Sequence, residues 1–144
     1  MNIQNLTGLE FMTKIKDGEI PNPPIANIIP MKPIVVEEGK VVFEAKASRE
    51  HTNPSGTVHG GFLATLIDAA SSCAVHTLLE KGEYYNTIDL NVKMIRPIPF
   101  DTEIYGEGMT INRSKNVGTA NCIVKDRDGK VYGYGSVTCL IKIF

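Results

Sequence analysis

In the second half of the chain, apolar and polar residues alternate in four runs, at about 84–95, 102–112, 117–126 and 131–143. A period of two marks a strand with one buried face. Turn-forming stretches, among them NRSKN at 112–116 and DRDGK at 126–130, separate the later runs, so consecutive strands pair antiparallel. Residues 41–47 alternate in the same way, with Val41, Phe43, Ala45 and Ala47 set against Val42, Glu44 and Lys46. The stretch from 60 to about 80 breaks this period: it has helical length and is apolar around most of its circumference. Such a helix must be wrapped, and the strands supply the wrapping. Residues 7–17 predict a short helix, capped by Thr7 with Glu10 three residues on and closed by Gly18; the Pro-rich stretch PNPPIANIIPMKP, 21–33, reads as an extended connection. The predicted architecture is α+β, one long buried helix against an antiparallel sheet of five or six strands.

Length and charge narrow the classes. The 144 residues fit one domain, 1–144, large enough to bury roughly 70% of its unfolded surface without cross-links. With 15 basic and 16 acidic residues the net charge is −1, which supplies no basic footprint for nucleic acid or an anionic membrane. Cys73, Cys122 and Cys139 are odd in number and widely spaced, a pattern of reduced core thiols in a cytoplasmic protein. The opening MNIQNLTGLEF has neither the basic start nor the apolar run of a signal peptide. The longest apolar run, 62–79, contains Asp68, two serines and His76, which argues against a membrane span.

No GxSxG, HExxH, Walker or GxGxxG motif is present. What draws notice is HTNPSGTVHGGFLATLID, 51–68, a polar glycine-marked loop running into the apolar helix, with Asp68 inside it. Burying an ionised carboxylate without partners is costly, so Asp68 needs a partner or a purpose. Ser71 or Ser72 one turn along is the simplest partner. The loop offers a purpose. Gly60 and Gly61 follow His59 where the helix begins, and unpaired N–H groups at the positive end of a helix suit an oxyanion. Asn53 and His59 flank the same turn, as carbonyl donors or as supports for the loop. The irregular spacing of His51, His59 and Asp68 matches no metal-ligand pattern.

Asn53, His59-Gly60-Gly61, Asp68 and then Thr87 ahead of DLNVKMIRP resemble the hot-dog-fold acyl-CoA thioesterases, most closely the phenylacetic-acid-degradation (PaaI-like) type. The resemblance runs from GLEFM to the final strand. It implies a long helix wrapped by an antiparallel sheet, an acyl-CoA substrate and no cofactor. It implies that Gly60 gives its N–H to the thioester carbonyl with help from Asn53, and that His59 supports the loop. Asp68 activates water or attacks directly, and Thr87 positions that water. Where the family often carries Gly-Arg before the fifth strand, this chain has Asn112 before Arg113. Arg113 and Lys115 are candidate contacts for CoA phosphates, and Gly61, Phe62, Leu63 and Met94 for the rest of the substrate.

The chemistry suits so spare a site. A thiolate leaves with a conjugate-acid pKa of about 8.5 and needs little protonation. A carboxylate and an oxyanion donor are enough, the donor contributing roughly 3 to 4 kcal/mol. Eight residues at about 1.5 Å each separate Gly60 from Asp68 by roughly 12 Å, too far to serve one carbon, so the site is expected to join two antiparallel helices of a homodimer. The family often pairs such dimers further. A hot-dog dehydratase is the alternative enzyme, disfavoured by the Asn53–Asp68 pairing; a non-catalytic acyl-CoA sensor is the alternative binder, for whose DNA-binding domain the N-terminal region is too short and too weakly basic.

Overall fold

The structure, a computed structural model, describes residues 3–144. It contains α1 (Gly8–Lys16), α2 (Ile25–Ile28), β1 (Met31–Glu37), β2 (Lys40–Lys46), α3 (Gly60–His76), β3 (Glu83–Met94), β4 (Glu103–Arg113), β5 (Val117–Asp126) and β6 (Val131–Ile143), with single 3-10 turns at Ile3–Asn5 and Arg49–His51. The strands form one antiparallel six-stranded sheet in the order β1-β2-β4-β5-β6-β3. The expected α+β architecture, a long helix against an antiparallel sheet, is the one observed.

α1 starts where the capping signal places it. The Thr7 hydroxyl accepts from the Glu10 N–H at 3.2 Å and the Glu10 carboxylate accepts from the Thr7 N–H at 2.8 Å, satisfying two otherwise unpaired donors. The Pro-rich stretch is not wholly an extended connection: α2 forms inside it and β1 begins at Met31. Pro33 is tolerated in β1 because that strand lies at the sheet edge, where a missing N–H costs no ladder bond. α3 ends at His76 instead of near 80, since Leu78 and Leu79 donate to Val75 and His76, three residues back, and tighten the chain out of the α-helix.

α3 lays one face on β2, β4, β5 and β6. Leu66, Ile67, Ala70, Ala74 and Val75 on that face are 0% exposed, and a Leu or Ile fully buried in this way contributes about 1.5 to 3 kcal/mol. Contact is close enough that a Cβ added to Gly108 of β4 would lie 2.0 Å from the Ala70 carbonyl oxygen. The opposite face of α3, with Thr65, Asp68, Ala69, Cys73 and His76, is only partly covered. There α1 and the segment after it lie over the helix, with Gly8 donating its N–H to the Leu79 carbonyl at 2.9 Å. The two faces of α3 thus have different tasks: one makes the core and the other carries the polar side chains.

Candidate active site

Asp68 lies on the partly covered face, half-buried, one turn before Ser72. Its partner is neither Ser71 nor Ser72. Ser71 donates to the Ile67 carbonyl, and Ser72 accepts from the Tyr85 hydroxyl at 3.1 Å. The Asp68 carboxylate instead accepts from the Thr87 hydroxyl at 2.9 Å. Helix and strand are in step for this: residues 68 and 72 are about 6 Å apart on a helix and residues 87 and 85 about 6.6 Å apart on a strand, so Thr87 meets Asp68 where Tyr85 meets Ser72. Immediately after Thr87 the register of β3 against β6 slips by one residue, a bulge that leaves Ile88 exposed. Burial raises the Asp68 pKa above 3.8, and the Thr87 hydrogen bond acts the other way.

The loop half of the arrangement is built separately. Asn53 accepts from the backbone N–H groups of Ser55 and Thr57 at 2.9 and 3.2 Å and donates to the Thr57 hydroxyl at 2.9 Å, which closes the Asn53–Thr57 turn and leaves one amide hydrogen of Asn53 to spare. Gly56, at φ 79°, makes that turn possible without strain. His59 is the N-cap of α3: its Nδ1 accepts from the Gly61 N–H at 2.8 Å and its carbonyl from the Phe62 N–H at 3.0 Å. Among the described residues nothing accepts from the Gly60 N–H, which stands at the positive end of a helix of 17 residues. His51 anchors the loop from behind, its ring within 2.7 Å of the Ile28 carbonyl and edge-on to Phe62.

These two halves open into different cavities. One of about 550 Å³ lies along the partly covered face of α3, with Asp68 in its wall and Phe11, Met12 and Ala26 opposite. The other, about 290 Å³, is lined by Asn53, His59, Gly60, Leu63, Met94 and Arg96. Leu63 and Met94 therefore border the smaller cavity. Phe62 is 2% exposed, belongs to the core cluster beside His51 and lines neither cavity. Arg113 is bound to the Glu83 carboxylate and donates to the Ser114 carbonyl, whereas Lys115 is exposed at the turn. Burial pushes the thiols up to about 12 for Cys73 and Cys122 and about 11 for Cys139, leaving no thiolate to act as a nucleophile near neutral pH. Sequence reasoning missed α1 as a cavity wall, because a short capped helix carries no sign of which groove it will cover.

Residues 55–132 match the model of the thioesterase superfamily. The chain is 32% identical over 101 residues to human acyl-coenzyme A thioesterase 13, a match covering 69% of this chain and 71% of that protein. The fold superposes on a phenylacetic acid degradation-related protein of Ralstonia eutropha with a TM-score of 0.81 and 26% identity, covering 90% of this chain and 98% of the other. It superposes on the PaaI protein of Escherichia coli at 0.79, with 16% identity and coverage of 90% and 91%, a likeness of fold. No helix among the described residues is long and apolar enough to cross a membrane.

Proposed function

The chain belongs to the thioesterase superfamily and is a thioester hydrolase, and we propose that it splits acyl-CoA at a site shared between two copies of itself. The observation that carries this reading is the Asp68–Thr87 hydrogen bond in the wall of an apolar cavity. Asp68 takes a proton from water as the water attacks the thioester carbon, or attacks that carbon itself and is released by water. In either route the C–S bond breaks, the electron pair leaves on sulfur, and the proton taken from water ends on the thiolate or in solvent. The products are a carboxylic acid and CoA. Thr87 orients the carboxylate and the water. Gly60 and the spare Asn53 amide hydrogen receive the developing oxyanion, reinforced by the dipole of α3.

Within one chain the carboxylate and the oxyanion donor are about 12 Å apart along α3 and cannot share a carbon. Two copies meeting about a two-fold axis bring Asp68 of one against Gly60 of the other. β3 supports such a dimer: it is an edge strand with β6 as its sole neighbour among the described residues, and it exposes Ile88, Leu90 and Met94 at 59%, 40% and 59%. Lys115 is the contact assigned to CoA phosphates, while Arg113 stays with Glu83.

Incubating the protein with acyl-CoA and a thiol reagent reports released CoA. Asp68→Asn keeps the shape and removes the base, so release falls by roughly 100-fold or more. Folding is retained, and at pH 7 the variant is at least as stable as the parent. A carboxylate whose folded pKa is raised destabilises the fold above that pKa, and the cost vanishes as pH falls through it. Near-normal turnover by a well-folded Asp68→Asn protein would remove Asp68 from the chemistry.

A further inference from the structure

The loop that carries Asn53 holds its own shape: Thr52 bridges Val58, and the Asn53 N–H donates to the Thr57 carbonyl at 2.8 Å. His51 stands at its base. The His51 carbonyl accepts from the N–H of His59, the residue before Gly60, at 2.7 Å. Its ring reaches three other parts of the chain. Nδ1 accepts from the Ser48 N–H at 3.0 Å just beyond β2, Nε2 lies 2.7 Å from the Ile28 carbonyl at the end of α2, and the ring meets Phe62 in the first turn of α3 edge-on, with centroids 5.0 Å apart. These contacts fix a tautomer. A nitrogen that accepts from a backbone N–H carries no proton, so the neutral ring keeps its proton on Nε2 and donates it to Ile28. The ring is half-buried and lines neither cavity.

Resting on the thioesterase reading, we propose that His51 is a positioning residue of the oxyanion site: through its Nε2–H tautomer it sets where the Asn53 amide stands relative to the Gly60 N–H, without touching substrate. His51 is two residues from Asn53 and is hydrogen-bonded to the residue before Gly60, so a tilt of its backbone moves one donor against the other. The ring sets that tilt, because Ser48 and Ile28 hold it at two nitrogens whose directions from Cβ are fixed. An oxyanion site works within about 0.5 Å of its productive geometry, and a misplacement of about 1 Å can slow turnover by roughly 100-fold. Packing against Phe62 asks only for a ring, whereas the two hydrogen bonds ask for an imidazole. A phenylalanine at this position therefore separates the two roles.

The test measures kcat and KM for CoA release by the wild type and by His51→Phe, His51→Asn and His51→Gln. His51→Phe keeps the ring and loses both hydrogen bonds, so kcat falls at least about tenfold while KM stays within about threefold. The amide oxygen of Asn falls near the place of Nδ1 and the amide nitrogen of Gln near that of Nε2, so each restores one bond and recovers part of kcat. The effect also depends on the loop. In an Asn53→Ala background His51→Phe lowers kcat by about threefold or less, whereas beside Thr87→Val it keeps its full factor. A role in stability alone would give the same factor in both backgrounds, and that result overturns the proposal, as does wild-type kcat in a folded His51→Phe protein. If His51→Phe does not fold, the Asn and Gln variants decide: a lowered kcat at unchanged KM in either upholds the proposal, and wild-type kcat in both overturns it. Nitrogen NMR of the wild type reads the tautomer directly, and a proton on Nδ1 overturns it too. Absence of CoA release from every thioester is a different failure, that of the thioesterase reading. In that case amide NMR decides: shifted resonances of Gly60 and the Asn53 side chain in a folded His51 variant uphold the positioning, and unmoved resonances overturn it.

Discussion

Two inactive chains should repair each other if the site is shared. Asn53→Ala removes the spare amide donor and the bonds to Ser55 and Thr57 that hold the turn, while Asp68→Ala removes the carboxylate. Each homodimer then lacks one half of both sites. In a mixed dimer one site carries both lesions and the other carries none, since the intact Asn53–Gly60 loop of one chain faces the intact Asp68 of its partner. Random two-fold pairing of equal amounts makes about half the dimers mixed, so the mixture recovers about a quarter of wild-type activity if the sites act independently. A mixed dimer purified through two affinity tags should show about half. The loop variant must be checked for folding, because it loses three hydrogen bonds that hold an exposed turn, each worth about 0.5 to 1.5 kcal/mol; thermal melting of each homodimer makes that check. A purified mixed dimer no more active than its parents would refute the shared site. The two cavities, with Asp68 in one and Gly60 in the other, would then need a different explanation.

Thr87→Val removes at similar volume the hydroxyl that stabilises ionised Asp68. We expect kcat to fall by about tenfold, the worth of one hydrogen bond to a charged group, with little change in KM. The acidic limb of the kcat/KM profile should also move to higher pH, since the bond that lowers the Asp68 pKa is gone; an unmoved limb would show that another group sets it. His76 should govern acid stability. Its pKa is about 4 when folded and 6.5 when exposed, so as pH falls below 6.5 the unfolded chain takes up a proton that the folded chain refuses. Stability present above pH 6.5 is lost progressively down to about 4, by about 3 kcal/mol in all. His76→Phe, stacked on Phe11, should flatten that dependence in urea titrations at pH 7 and pH 4.5, and a parallel decline in both proteins would assign the loss elsewhere.

Local pattern was enough for much of this molecule. The Thr7 cap, the period of two in β2 to β6 and the apolar circumference of α3 are properties of residues near one another in the chain, and each maps onto the element observed. The start of α3 was also readable, at the glycines that follow His59; that the Gly61 N–H goes to His59 while the Gly60 N–H does not was settled by the folded loop. β1 escaped notice because Pro30 and Pro33 mask a strand that an edge position tolerates. Packing settled what spacing left open. Asp68 has serines one turn along, yet its partner is Thr87, because β3 crosses α3 in a register that only the folded sheet establishes. Phe62 and Phe11 are both large, apolar and helical; Phe62 is buried in the core beside His51, while Phe11 reaches across to His76 and lines a cavity. No periodicity separates these fates, since each depends on what the rest of the chain brings to the other side of the ring. The distance from Gly60 to Asp68, by contrast, was readable from the first, because an α-helix rises by a constant amount per residue whatever surrounds it.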